Sequence, residues 1–111
     1  MKKSNRYIEL LNTNGISLQA LGIRDVGLER SEALLAIEFL KGDSIPILGG
    51  DVYLQNDAAI EPPHANWHCD PKPEESKEDY FKRSWLTAED YIRKYPEPVN
   101  GRPLFGIVIG E

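Results

Sequence analysis

The chain of 111 residues contains a single cysteine, Cys69, so it cannot form an internal disulfide bond. None of its apolar runs approaches the roughly 20 residues that a membrane-spanning helix needs. The short apolar piece near the N-terminus is interrupted by Glu9 and Asn12, which argues against an export signal. A chain with neither a disulfide nor an export signal is expected in the reducing cytoplasm.

The sequence also lacks the common motifs of catalysis and nucleotide binding. There is no GxxxxGK[ST] loop, no GxGxxG after a predicted strand and no GxSxG nucleophile elbow. The adjacent glycines Gly49 and Gly50 are too short a run to enclose a phosphate, and they favour a bulge or a tight bend. We therefore predict that the protein is not an enzyme and uses no cofactor.

Negative charge is distributed unevenly along the chain. The formal net charge is −5, from 13 lysines and arginines against 18 carboxylates. Residues 31–80 contain three lysines and eleven carboxylates, a net charge of −8, so the two flanks together are positive. An acidic segment repels nucleic acid and anionic membranes and attracts a basic partner. An ordinary solvated surface gives the same pattern, so charge alone leaves both interpretations open.

The order of predicted elements indicates an α+β fold within a single domain, residues 1–111. We expect a small, mostly antiparallel sheet of three to five strands packed with three to four helices. The second helix is expected to be capped by Ser31 and to end at Gly42. The other predicted elements are helices at 4–12 and 76–95, an irregular or extended stretch at 16–28, and strands at 45–55, just before Pro62-Pro63, at 65–70 and at 104–109, the last of these in the centre of the sheet.

Capping patterns set the predicted limits of the third helix. Ser76 with Asp79 three residues later resembles a capping box, and Tyr95 before a proline ends the helix. Thr87 with Asp90 repeats the capping pattern inside this segment. We therefore expect a kink or a new helix at Thr87.

One cluster offers candidate ligands for a metal ion or a nucleophile: His64, His68, Cys69 and Asp70. Prolines on both sides exclude the helix that would place both imidazoles on one face. On a strand the two histidines would be roughly 13 Å apart, too far to share a metal ion. Cys69 is expected to be an inert thiol, buried beside Trp67. We predict no metal site, although a small enzyme built on His64, His68 and Asp70 stays an alternative.

A family resemblance rests on one specific run and on several weaker helical positions. The run is Pro-Ile-Leu-Gly-Gly-Asp-Val-Tyr within residues 45–53. The other positions are Trp67, Glu75-Ser76, Arg83-Ser84, Ala88, Tyr91-Ile92 and Tyr95. Together, over residues 28–95, they resemble a small immunity protein family of bacterial polymorphic toxin systems, of the contact-dependent inhibition type. The resemblance implies an antidote that binds the C-terminal domain of its cognate toxin and neutralises it by stoichiometric occlusion, without catalysis.

The acidic middle fits a partner of this kind, because complementary charge speeds the capture of a basic toxin such as a nuclease. The predicted partner-binding residues are Asp51, Tyr53, Glu74, Glu75, Glu78 and Asp79, with Asp57 and Glu61 as second choices. Aromatic side chains are enriched at interfaces, yet a tyrosine covered by a helix is an equal alternative for Tyr53. The carboxylates at the helix start can instead offset the helix dipole.

Arg83 is expected to have a structural role, pairing with Asp79 one helical turn earlier. Neither nucleic acid nor a membrane is an expected partner, and the oligomeric state stays open. The alternative function is a small, non-enzymatic α+β module that binds a ligand or another protein.

Overall fold

The computed structural model of the protein describes residues 5–23, 25–57 and 59–110, and the side chains of all of these except Pro63 and His64. In chain order the elements are α1 (Asn5–Asn14), β1 (Ile16–Ser17), a 3₁₀ turn (Gln19–Leu21), β2 (Val26–Gly27), α2 (Arg30–Gly42), β3 (Ile47–Gln55), β4 (Ile60–His68), α3 (Lys77–Lys94) and β5 (Arg102–Ile109). The predicted α+β class is confirmed. That the chain is a single domain stays a prediction.

The main sheet has three antiparallel strands in the order β4-β3-β5, and β1 pairs with β2 in a separate small ladder. The two ladders meet at one bridge between Leu28 and Phe105. The central strand is β3, so the expectation that residues 104–109 would be central was wrong. The first half of β5 is apolar because both of its faces are covered: Phe105 packs against the helices and Leu104 packs against Leu18 and Tyr53.

The strand β4 is continuous through Pro62-Pro63, where we had expected a strand to end. Its pairing with β3 shifts between Leu54↔Glu61 and Val52↔Ala65, so β4 carries two extra residues at this irregularity. Because β4 is an edge strand, the missing N–H groups of the prolines cost no ladder hydrogen bonds on its open side.

The glycine pair brings β3 close to a tryptophan of β4. The predicted bulge is confirmed, since the register with β5 shifts between Ile47 and Gly49. A Cβ atom at Gly50 would lie 2.3 Å from Cη2 of Trp67, and one at Gly49 would lie 2.3 Å from the Trp67 carbonyl oxygen. The indole ring also stacks on Tyr91 of α3, with 4.8 Å between ring centroids. The two glycines therefore make room for a tryptophan that joins the sheet to α3.

The helices α2 and α3 cover one face of the sheet, and α1 packs on α2. The helix α3 runs without a break, so the kink expected at Thr87 was wrong. Its buried residues are spaced four apart along the whole length: Tyr80, Ser84, Ala88 and Ile92. This continuous stripe holds the helix on the sheet and overrides the local capping pattern. Among the described residues, no helix is long and apolar enough to span a membrane.

The helix ends agree with the sequence at most positions. The predicted cap Ser76 is confirmed, because its Oγ accepts a hydrogen bond of 3.1 Å from the Asp79 N–H. The expected cap Ser31 was wrong, since α2 begins at Arg30 and Glu29 occupies the N-cap position. The Leu28 bridge keeps the chain extended up to Glu29, whose carbonyl then accepts the first helical bond, from Ala33.

Candidate protein interface

Negative charge is concentrated on and around the β3–β4 hairpin. Residues 42–71 contain no lysine or arginine and five carboxylates: Asp43, Asp51, Asp57, Glu61 and Asp70. The start of α3 differs, because residues 72–83 contain four carboxylates and four basic side chains. The acidic excess of the chain therefore belongs to the hairpin, and the start of α3 is close to neutral.

The sheet has an outer face, which points away from α2 and α3 and carries Asp51, Asn66, His68 and Val108. Neighbouring residues of a strand point to opposite faces, and Val52 and Trp67 contact the helices, so Asp51 and its partner Asn66 point outward. Val108 is 48% exposed, and Leu48 at the bulge is 39% exposed. The outer face therefore combines a carboxylate, polar groups and exposed aliphatic side chains.

Tyr53, one of the predicted contact residues, lies inside the molecule. It is 5% exposed and packs with Leu18 and Leu104 beside the 3₁₀ turn. The structure thus favours the alternative of a covered tyrosine, although the cover is this turn and not an α-helix. Burial raises the pKa of the Tyr53 hydroxyl, and the nearby carboxylates of Asp51 and Asp25 raise it further.

A small cleft opens where β2 separates from β5, and we call it the β2–β5 cleft. Its volume is about 50 Å³. Among the described residues, the polar side chains that line it are Tyr7, Asp25, Asp51 and Tyr53. Burial raises the pKa of the Tyr7 hydroxyl to about 12, with a further contribution from the Asp25 carboxylate. Among the described residues, the cleft therefore brings two carboxylates beside two tyrosine side chains at the edge of the outer face.

Glu75 and Arg83 form an ion pair that ties the start of α3 to the end of β4. The Arg83 guanidinium donates to both carboxylate oxygens of Glu75, at 2.7 and 2.6 Å, and to the carbonyl oxygen of Asp70 at 2.7 Å. Another of its N–H groups lies 3.1 Å from Sγ of Cys69. Arg83 is structural as expected, but its partner is Glu75 and not Asp79. We call this cluster the Arg83 clasp.

The clasp changes the electrostatics of Glu75. Its side chain is only 11% exposed. The hydrogen bonds from Arg83 lower the pKa of Glu75 to about 2, and the pairing raises the pKa of Arg83. Glu75 therefore stabilises the fold through its pairing with Arg83, and little of its side chain is accessible to a partner.

The remaining predicted carboxylates, Glu74, Glu78 and Asp79, are exposed at the start of α3. Glu78 forms an ion pair with Lys82 at 3.2 Å, one helical turn later. Because α3 packs on the inner face of the sheet, these residues and Asp51 lie on different sides of it. The structure thus separates the six predicted residues into an outward Asp51, a covered Tyr53 and a group at the start of α3.

The structure separates the buried Cys69 from the exposed His68 and Asp70 at the end of β4. Cys69 is buried, as predicted, and His68 and Asp70 are exposed, with 3.4 Å between Nδ1 and Oδ2. Within residues whose side chains the structure describes, no group of three or more His, Cys, Asp or Glu could hold a metal ion. The His64 side chain, which belonged to the alternative metal site, lies outside this part.

Asp25, the second carboxylate of the β2–β5 cleft, was not predicted from the sequence. It lies in the stretch 16–28, which has no regular hydrophobic pattern. Only the tertiary contact of this stretch with β5 brings Asp25 towards Tyr53 and Asp51. No local signal in the sequence could have identified it.

Comparison with known proteins gives one family. The sequence model of the family described as Immunity protein 40 matches residues 17–109. The match runs from β1 to the end of β5, so it includes the whole sheet, the outer face and both aspartates of the cleft. No curated protein and no solved structure matches the chain.

Proposed function

The chain belongs to the Immunity protein 40 family, and on that premise we propose that it binds and neutralises the toxic domain of a cognate bacterial toxin. Membership of an immunity protein family supports the antidote role in general. In our proposal, one antidote molecule covers the active site of one toxin molecule, or a surface beside it. The antidote performs no chemistry itself and acts in the cytoplasm as part of a polymorphic toxin system.

The charge distribution supports a basic partner, such as a nuclease domain. The hairpin lies within residues 42–71, thirty residues that contain no lysine or arginine. No basic side chain of this segment therefore offsets the negative charge of its carboxylates. Complementary charge raises the association rate, which suits an antidote that must capture its toxin before damage occurs. The same charge disfavours nucleic acid and anionic membranes as partners.

The proposed contact residues are the carboxylates that solvent reaches. They are Asp51 on the outer face and Glu74, Glu78 and Asp79 at the start of α3. Tyr53 and Glu75 lie behind this surface. Tyr53 lines the cleft, and Glu75 accepts hydrogen bonds from Arg83 in the Arg83 clasp. Asp57, which is exposed in the hairpin turn, and Glu61 on β4 are secondary contacts.

Inhibition of the toxin as a function of molar ratio tests the proposal. The purified toxin domain is assayed with increasing amounts of the protein, and an acidic protein of similar size serves as the control. We expect the activity to fall linearly and to reach its minimum at a ratio of 1:1. Inhibition at ratios far below 1:1 would mean that the protein acts as a catalyst, and an unaffected toxin would contradict the antidote role.

A further inference from the structure

We propose that the β2–β5 cleft receives a basic side chain of the protein partner, either the ammonium group of a lysine or the guanidinium group of an arginine. The residues that line the cleft are the reason for expecting a basic side chain. The identification of the partner as a toxin domain rests on the proposed antidote function. The two parts are tested separately below.

The cleft exists because two strands pair at one position and then diverge. Leu28 and Phe105 exchange two backbone hydrogen bonds, of 2.9 and 2.8 Å. Beyond this bridge, no backbone hydrogen bond of the described residues joins β2 to β5. In an antiparallel ladder the N–H and C=O groups of every second residue point to the same side, so those of Ile107 point towards β2, as those of Phe105 do. The strands therefore leave a polar gap, which opens beside the outer face.

Three acceptors of the cleft, Asp25, Asp51 and Tyr53, are paired with no cation of the described residues. Asp25 and Asp51 both line the cleft, and neither forms an ion pair or a hydrogen bond with another described residue. Tyr53, which is only 5% exposed, also lines the cleft. Its hydroxyl likewise has no hydrogen-bond partner among the described residues. The carboxylates of the exposed Asp25 and the half-buried Asp51, with the phenolic oxygen of Tyr53, form an acceptor set around one cleft for a cationic N–H donor.

The local electrostatics agree with this assignment. Both carboxylates act on the Tyr53 hydroxyl, whose pKa they raise beyond the effect of burial. Charges beside a partly buried site interact more strongly than charges in water, because less solvent screens them. A lysine or arginine side chain in the cleft would offset this negative potential and donate hydrogen bonds to the same oxygens.

The size of the cleft limits what can bind. A volume of about 50 Å³ accommodates the head of one side chain, whereas ligand-binding pockets have about 300–1,000 Å³. The apolar walls, which include Leu18 and Val26, suit the methylene groups of a lysine or arginine stem. A basic side chain on a protein therefore fits better than a free metabolite.

The first experiment uses the protein alone, with L-argininamide as the cationic probe. Backbone amide NMR signals are followed during the titration for the wild type, Asp25→Asn, Asp51→Asn and, as a matched control, Asp57→Asn, which removes an exposed carboxylate outside the cleft. We expect shifts at residues 25–26 and 106–108 that disappear in the first two variants and persist in the control. Shifts spread over all acidic residues, or an equal response to Mg²⁺ at matched ionic strength, would overturn the assignment.

The second experiment measures affinity for the cognate toxin domain. Tyr53→Phe removes only the hydroxyl, and Asp51→Asn preserves the shape of its side chain, so both variants should fold. We expect each to bind about tenfold or more weakly, and the control Glu38→Gln, which removes an exposed carboxylate on α2 outside the proposed contacts, to stay within about twofold. Unchanged affinity of the cleft variants would refute the cleft and leave the antidote role intact. Failure of the wild type to bind would refute the antidote role, and the argininamide titration would still decide the chemistry of the cleft.

Discussion

At the scale of single residues, the Pro-Ile-Leu-Gly-Gly-Asp-Val-Tyr run, on which the family resemblance rests, has a structural explanation. Gly49 and Gly50 have no side chains because β4 places Trp67 against them. The indole then stacks on Tyr91, so one tryptophan connects β3, β4 and α3. Asp51, the next residue of the run, points to the outer face. The run therefore combines a packing requirement with an outward carboxylate, and only the second is available to a partner.

The Trp67 contact predicts a large effect of the smallest substitution. In Gly50→Ala, the new methyl group would lie 2.3 Å from the indole and 2.4 Å from the carbonyl oxygen of Gly106. We expect a loss of about 1–3 kcal/mol in the free energy of unfolding, measured by urea denaturation. The control is Gly106→Ala in β5, whose methyl group would meet its nearest neighbour at 3.4 Å. Equal stability of the two variants would contradict this packing.

The Arg83 clasp predicts a pH-dependent contribution to stability. The pKa of Glu75 is about 2 in the folded protein and 4.5 ordinarily. A lowered pKa stabilises the folded state above the ordinary value, and this contribution is lost as the pH falls from 4.5 towards 2. We therefore expect Glu75→Gln to lower the melting temperature at pH 7 and to differ progressively less from the wild type below pH 4.5. The exposed neighbour variant Glu74→Gln is the control, and a difference that does not vary with pH would contradict the clasp.

At the scale of secondary structure, local signals predicted some boundaries and tertiary contacts decided others. The cap Ser76 and the helix end at Tyr95 follow from neighbouring residues, and both were predicted correctly. The continuity of β4 through its prolines depends on β4 being an edge strand, which no local pattern reveals. The continuity of α3 depends on a buried stripe that the sheet requires. The sequence therefore predicts where helices and strands lie along the chain better than it predicts which elements pack against one another.

The revised helix starts can be tested with two serine variants. Ser76→Ala removes the acceptor for the Asp79 N–H, and we expect it to destabilise the protein by about 1 kcal/mol. Ser31 lies inside the first turn of α2, and among the described residues its hydroxyl donates only to the neighbouring Glu32 carboxylate. Ser31→Ala should therefore stay within about 0.5 kcal/mol of the wild type. Denaturation curves for both variants decide this, and a larger loss in Ser31→Ala would restore Ser31 as the cap.

At the scale of the whole molecule, the acidic β3–β4 hairpin carries Asp51 on the face of the sheet that α2 and α3 leave open. The sequence predicted the acidic middle, and three of the six predicted contact residues, Glu74, Glu78 and Asp79, are exposed. It could not predict that Tyr53 is covered or that Asp25 joins Asp51, since both depend on how the stretch 16–28 folds over β5. The candidate interface was thus predictable in charge but not in shape.

Electrostatic steering gives a prediction for the group at the start of α3. Replacing Glu78 and Asp79 by lysine changes the net charge by four units at an exposed site. We expect slower association with the toxin domain and a weaker dependence of the association rate on salt. Stopped-flow fluorescence measures both, with Glu38→Lys on α2, far along the chain from these residues, as the control. Unchanged association kinetics in the double variant would exclude this group from the approach of the toxin.

The most direct test of the antidote role is calorimetric titration of the cognate toxin domain with this protein at low and high salt. We predict a tight 1:1 complex whose affinity falls as salt is added, because screening weakens the attraction between exposed charges. Tight binding that does not depend on salt would preserve the antidote and refute the acidic interface. The absence of binding to a folded, active toxin domain would contradict the account as a whole.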